Sequence, residues 1–192
     1  MRTMDGDHDF DVLRTERLVL RRFTAADVDS FAAYRSDPEI ARYQGWEAPY
    51  TRKQAARFID DLRDAHPGTP GAWFQIAVEL TSAKTLIGDV AVRVSSDDPR
   101  LATIGFTVAR AAHGHGYATE AVTAVLDYLF TTRRTHRVAA VCDVRNTASA
   151  ALLERVGMRR EAHHRASAWW KGEWTDELSY AILADEWAAR RS

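Results

Sequence analysis

The stretch His113-Gly114-His115-Gly116-Tyr117-Ala118-Thr119 has residue types and a spacing suited to holding an anion. A β-like segment, Leu101 to Ala109, precedes it, and an amphipathic segment, Ala118 to Phe130, follows. Glycines between a strand and a helix let backbone amides approach a ligand with no side chain in the way. The first N–H groups of a helix lack intrahelical partners, and the helix dipole adds positive potential there. Such a turn is a phosphate site, and here it is expected to hold the pyrophosphate of a nucleotide-bearing cofactor. His113 and His115 put two imidazoles in one turn. No third ligand lies within sequence reach, so the pair reads as loop histidines and no metal is expected.

The elements that must position this turn can be read along the chain. Thr15 to Phe23 alternates apolar and polar residues as a first strand does. Thr24, with Asp27 three residues on, caps a helix that Asp37-Pro38 stops. Glu39 to Tyr50 reads as an irregular aromatic segment. Thr51 and Gln54 form a capping box for a helix to Ala65, with Ala55, Phe58, Ile59 and Leu62 as its buried stripe. Trp73 to Leu80, Thr85 to Val94 and Leu101 to Ala109 follow as strands with short links, which favour antiparallel pairing. The helix after the glycine turn leads to an apolar strand, Arg137 to Val144, so the strands flanking it pair in parallel. Asn146 caps a helix closed by Gly157. Arg159 to Trp170 and Glu173 to Leu183 form a hairpin around Lys171-Gly172, and Ala184 to Ser192 reads as a tail.

The chain of 192 residues carries a formal net charge of −1 and 46% hydrophobic residues. This composition is that of a soluble globular protein with no general nucleic-acid or membrane surface. No apolar run approaches membrane-spanning length. The polar, acidic start lacks a signal-peptide core, so residues 1–14 read as a flexible tail and 15–192 as a single domain. The one cysteine, Cys142, sits in an apolar run, reads as a buried structural thiol, and fits a reducing, cytoplasmic location.

TERLVLRRF, DPEI, IGFTVARAAHGHGYATEA, VRNTASAALLERVGM and the KGEW-DEL ending occur in one order over roughly Thr15 to Trp187. In that order they resemble the GNAT superfamily of acetyl-CoA-dependent N-acetyltransferases, and most of all its Rim-type group, which includes ribosomal-protein N-acetyltransferases. The resemblance implies an α+β fold, a mixed α/β sandwich: a mostly antiparallel, splayed sheet of about seven strands with about four helices. It implies acetyl-CoA or coenzyme A as cofactor, with pyrophosphate on His113, Gly114, His115, Gly116, Tyr117, Ala118 and Thr119. The first position of the family's motif, Gln or Arg there, is His113 here. Backbone groups of Phe106, Thr107 and Val108 would run beside the pantetheine arm in the gap between the two parallel strands. Asn146 would hydrogen-bond that arm, and equally reads as a helix cap. Ser149 matches a serine that protonates the leaving thiolate in the Rim-like group, and equally reads as a first-turn residue bonding backbone. Where many members of the superfamily place a tyrosine, this chain has Leu153.

An amine attacking a thioester must be neutral, so the site must accept a proton. Asp89 and Glu79, on strands beside the splay, are the candidate bases; a solvated or arginine-paired carboxylate is the other reading of Asp89. Tyr43, Trp46, Trp169 and Trp174 are candidates for the acceptor pocket wall, and each also reads as a packing residue. The expected activity is acetyl transfer to a primary amine, on a protein N-terminus or a small molecule. The alternative is a non-catalytic acyl-CoA-binding sensor or scaffold on the same fold. Exposed aromatics on the last hairpin make a homodimer an expectation by analogy.

Overall fold

The computed structural model describes residue 10 and residues 12–191. An eight-stranded sheet runs in the order β1-β2-β3-β4-β5-β6-β8-β7. Its strands are β1 (Leu13–Arg14), β2 (Leu18–Arg21), β3 (Trp73–Leu80), β4 (Thr85–Val94), β5 (Leu101–Val108), β6 (Arg137–Asp143), β7 (Arg159–Trp170) and β8 (Glu173–Leu183). The helices are α1 (Val28–Arg35), α2 (Pro38–Ala41), α3 (Arg52–Asp61), α4 (Tyr117–Asp127), α5 (Thr147–Arg155) and α6 (Ala184–Ala189).

Local sequence sets most of these boundaries. The Thr51 hydroxyl accepts the Gln54 N–H at 3.2 Å, while the Gln54 side chain accepts the Thr51 N–H at 2.8 Å, which starts α3. Asp27 likewise accepts the Thr24 N–H at 2.7 Å. Pro38 does not simply end a helix. It occupies the first turn of α2, where its missing N–H costs nothing, and Asp37 caps that turn through the Glu39 N–H at 3.0 Å.

Both ends are more structured than expected. Leu13 and Arg14 pair with Leu20 and Val19, and Phe10 is buried against Phe74 and Tyr128, so ordered structure begins before residue 15. The rest of the expected N-terminal tail, residues 1–9 and 11, lies outside the described residues. At the other end Ala184–Ala189 forms α6. Its Trp187 is buried and donates its indole N–H to Asp127 at 2.8 Å.

Two apolar layers clamp the sheet. Leu18, Leu20, Ile76, Val90, Val92 and Ile104 face α4 and α5, whose Val122, Val125, Leu126 and Leu153 close the main core. Each such side chain contributes about 1.5–3 kcal/mol. Ala77 and Leu86 face the other way, against Val28, Phe31 and Tyr34 of α1 and Ala55 and Ile59 of α3. No helix among the described residues is long and apolar enough to cross a membrane.

The pairing that matters for the site lies at the centre. β5 and β6 are parallel, and they pair through Leu101, Ala102 and Thr103 against Arg137, Val138 and Ala139. β5 stays paired to β4 as far as Val108, and β6 to β8 as far as Asp143. Beyond Thr103 and Ala139 the sheet therefore opens as a V. On the β4 side the backbones close tightly: a Cβ at Gly88 would meet the Thr107 carbonyl oxygen at 2.2 Å. Only glycine fits there.

Candidate active site

A cavity of about 1030 Å³ occupies the opening of the V. Its wall brings together the end of β5 (Phe106, Thr107, Val108), the turn (His113, Gly114, Gly116), the first turn of α4 (Tyr117, Ala118, Thr119, Glu120) and the start of α5 (Asn146, Ser149). Ten of the eleven residues expected to hold the cofactor thus share one cavity; His115 does not line it.

The turn has the backbone its glycines permit. Gly114 and Gly116 have φ of +78° and +79°, a left-handed conformation costly for side-chain-bearing residues. Gly116 is the N-cap of α4, so the first N–H groups of that helix face the cavity without a capping side chain. This is the cradle a pyrophosphate needs.

On β5 the Ala109 N–H donates to the Ile87 carbonyl at 2.7 Å, and the Thr107 carbonyl faces Gly88. Strand backbone groups alternate in direction, so those of Phe106 and Val108 point into the gap, and those of Thr107 point to β4. The Val108 carbonyl is already engaged. His113 Nε2 lies 2.8 Å from it. A carbonyl can only accept, so Nε2 carries the proton and donates. His113 therefore ties the turn to the strand end. His115 Nδ1 donates in the same way to the His113 carbonyl at 2.7 Å, and its ring stacks on Tyr117 at 5.5 Å. Among the described residues no cluster of His, Cys, Asp or Glu is placed to hold a metal ion.

Asn146 Oδ1 accepts the Ser149 N–H at 3.1 Å, which leaves the Asn146 amide N–H groups for a ligand. Capping and binding are thus compatible in one side chain. The position of the family's tyrosine is buried Leu153, packed in the main core.

Three arginines line the cavity that sequence reasoning did not single out: Arg17, Arg110 and Arg155. The Arg17 guanidinium binds Glu120 at 2.6 Å, donates to the His115 carbonyl at 2.9 Å, and lies 4.7 Å from the Tyr117 ring centre. Its one signal was a place in TERLVLRRF. Arg110 pairs with Asp37 at 2.9 Å, and Arg155 donates to the Thr119 hydroxyl at 3.3 Å.

Glu39, Ile40, Tyr43 and Gln44 also line the cavity, so Tyr43 shares it with the glycine turn. The other aromatic candidates lie elsewhere. Trp46 covers the Arg35 guanidinium at 3.9 Å and donates to the Arg35 carbonyl at 3.0 Å. Trp169 and Trp174 pair edge to face across β7 and β8 and are 61% and 63% exposed, away from the cavity wall.

Neither candidate base lines the cavity. Asp89 is neither solvated nor in the pocket. It is 3% exposed beneath α1, accepts a hydrogen bond from the Tyr34 hydroxyl, and lies 3.9 Å from Arg35. Burial pushes its carboxyl above the ordinary range against the pull of Arg35 and Tyr34. The physical reason is the second apolar layer, which covers the face of β4 opposite Val90 and Val92. Glu79 is held by Arg21 at 2.7 Å, which also grips Asp27 at 2.8 Å. The carboxylates that do line the cavity are Glu120, engaged by Arg17 and Thr15, and Glu39, which forms no ion pair among the described residues.

A family model described as acetyltransferase (GNAT) domain matches residues 17–159. The chain is 30% identical over 175 residues to the uncharacterized N-acetyltransferase YnaD of Bacillus subtilis (strain 168), spanning 91% of this chain and 98% of that protein. It is 28% identical over 88 residues to the ribosomal protein uS5-alanine N-acetyltransferase of Escherichia coli (strain K12), 46% of this chain and 45% of that protein. The solved structure of a GNAT-family acetyltransferase from Bacillus anthracis superposes with a TM-score of 0.81 at 28% identity, covering 91% of this chain and 99% of that one. With a match that spans most of its length, the chain belongs to the GNAT acetyltransferase family and is an acyltransferase enzyme.

Proposed function

We propose that this enzyme transfers acetyl from acetyl-CoA to a primary amine, on a protein N-terminus or a small molecule, by direct attack. The observation that carries this reading is the single cavity joining the glycine cradle to the opened end of β5. The similarity to a uS5-alanine N-acetyltransferase supports the N-terminal acceptor.

The residues present fit the cofactor. Gly114, Gly116 and the first turn of α4 would hold the pyrophosphate, and Phe106, Val108 and Asn146 the arm. Acetyl-CoA, when bound, would supply the thioester that a neutral amine attacks, with the coenzyme A thiolate as leaving group. The Val108 N–H, aimed into the gap, stabilises negative charge on the carbonyl oxygen. Ser149, at the start of α5, holds a proton for sulfur. Glu39, with Ile40, Tyr43 and Gln44, would form the acceptor end of the cavity and accept the proton that the attacking amine loses.

Melting of the purified protein, with and without acetyl-CoA, tests the reading. At about 100 times Kd the ligand should raise the melting temperature by about 5–10 °C. Thiol release should then follow on addition of an alanine-initiated peptide or a small amine. An unchanged melting temperature at millimolar acetyl-CoA would remove the proposal.

A further inference from the structure

The cavity's acceptor end hangs on a lysine from the far end of the chain. Lys171 sits at the tip of the β7–β8 hairpin, in a two-residue turn with Gly172, at φ of +47° and +90°. Successive positive φ values are those of a tight turn that suits strand twist. The Lys171 ammonium lies 2.8 Å from the Ala41 carbonyl and 2.7 Å from the Trp46 carbonyl. Glu47 adds a carboxylate at 3.5 Å. Ala41 ends α2 and Trp46 ends the arc that follows, so one cation grips both feet of the arc Arg42–Gly45. Tyr43 and Gln44 of that arc line the cavity, as do Glu39 and Ile40 of α2. Beside the lysine, the Trp170 ring reaches within 3.8 Å of the Cβ position of Gly45.

The same hairpin tip holds the opposite wall. Glu173 pairs with Arg145 at 2.7 Å, and Arg145 also pairs with Asp143 at 2.7 Å. Arg145 immediately precedes Asn146, the cap of α5, whose first turn carries Ser149. The tip therefore spans from the helix bearing the thiolate-side serine to the arc bearing the acceptor-side residues. The other end of the aromatic segment has anchors of its own on α1: the Ser36 hydroxyl donates to the Tyr50 carbonyl and accepts the Tyr50 N–H, both at 2.9 Å. Trp46 keeps its bond to the Arg35 carbonyl and Ala41 its buried place at the end of α2 without the lysine, so loss of Lys171 would loosen the arc between them and leave the rest of the segment in place.

We propose that Lys171 is a positioning residue for the amine acceptor: it sets the place of the Arg42–Gly45 arc and so the shape of the acceptor end. This rests on the acetyl-transfer reading above and names the element that selects the amine. Lys171 itself does not line the cavity. Its ammonium gives a charge-assisted bond at each foot, to the Ala41 carbonyl in a part-buried setting and to the Trp46 carbonyl in an exposed one, which a neutral side chain of similar length cannot give.

The test is Lys171→Met, which keeps length and removes the donors. Kinetics are read by thiol release with an alanine-initiated tetrapeptide and with spermidine, and hydrogen exchange is read over residues 41–48. The expected result is an amine KM raised about ten-fold or more, with acetyl-CoA KM within about two-fold of wild type. Exchange over 41–48 should rise while the first turn of α4 stays as protected as before. Equal movement of both KM values, or of neither, would overturn the proposal, as would unchanged exchange over 41–48. Failure of acetyl-CoA to raise the wild-type melting temperature sinks the acetyl-transfer reading instead, and the exchange result still decides whether Lys171 holds the arc.

Discussion

At the scale of single residues, the site depends on what each polar atom has left to give. His113 spends its Nε2 proton on the Val108 carbonyl, so an anion at the turn would meet backbone N–H groups. Asn146 spends its oxygen on the helix cap and keeps its N–H groups. Ser149 spends its N–H on Asn146, and in the proposed reaction its hydroxyl would serve the sulfur. Replacing Ser149 by Ala should therefore lower kcat by about 10- to 100-fold and leave acetyl-CoA KM nearly unchanged. Steady-state thiol release measures both, and equal kcat in the two proteins would remove the serine from the mechanism. Cys142 does not interfere with that readout. Burial, helped by nearby carboxylates, pushes its thiol up to about 11, so it stays protonated near neutral pH.

At the scale of elements, the glycine turn is held by a neighbour distant in sequence. The Glu120 carboxylate in the first turn of α4 accepts from the Thr15 hydroxyl at 2.6 Å and from the Arg17 N–H at 2.9 Å, and it pairs with the Arg17 guanidinium. A carboxylate there also suits the helix dipole. Burial would raise its pKa, but the bonds from Thr15 and Arg17 outweigh burial and leave it below the usual 4.5. A carboxyl whose folded value is depressed stabilises the fold above its unfolded pKa, and that stability is lost as pH falls through the folded value. Glu120→Gln should therefore melt lower than wild type at pH 7, and the gap should close as pH falls below about 4.5. Melting curves across that range check the sign; a gap that widened in acid would contradict it.

At the scale of the whole molecule, the V between β5 and β6 makes the site. Three walls separated in sequence, the end of β5, the start of α4 and the start of α5, converge on it. A ligand that fills the V should slow amide exchange at Phe106 and Val108, in the first turn of α4 and at the start of α5 together, in one acetyl-CoA titration. Thr107, whose N–H is directed to β4, should change little. Protection confined to α4 would mean that the cradle binds phosphate without the arm entering the splay.

Local chemistry was readable without a fold. The glycine turn, the Thr51–Gln54 capping box and the Asn146 cap all follow from neighbours within a few residues. Such features rest on backbone sterics and hydrogen bonds that need no distant partner. The aromatic and acidic candidates fared differently, because their roles are set by what packs on them. Alternation along β4 sets Asp89 opposite Val90 and Val92, yet alternation says nothing of α1, which buries that face. Arg17, Glu39 and Lys171 carried no local pattern that pointed to the cavity. Each acquires its part through a contact or a shared wall with residues far along the chain: Arg17 with Glu120, Glu39 with Ser149, Lys171 with Ala41 and Trp46. Sequence by itself determined the glycine turn and the helix caps, which short-range geometry encodes, and its motifs, standing in one order along the chain, pointed to the family. Which carboxylates line the cavity, and what holds the Arg42–Gly45 arc, only the tertiary structure decided, because long-range packing brings those groups together.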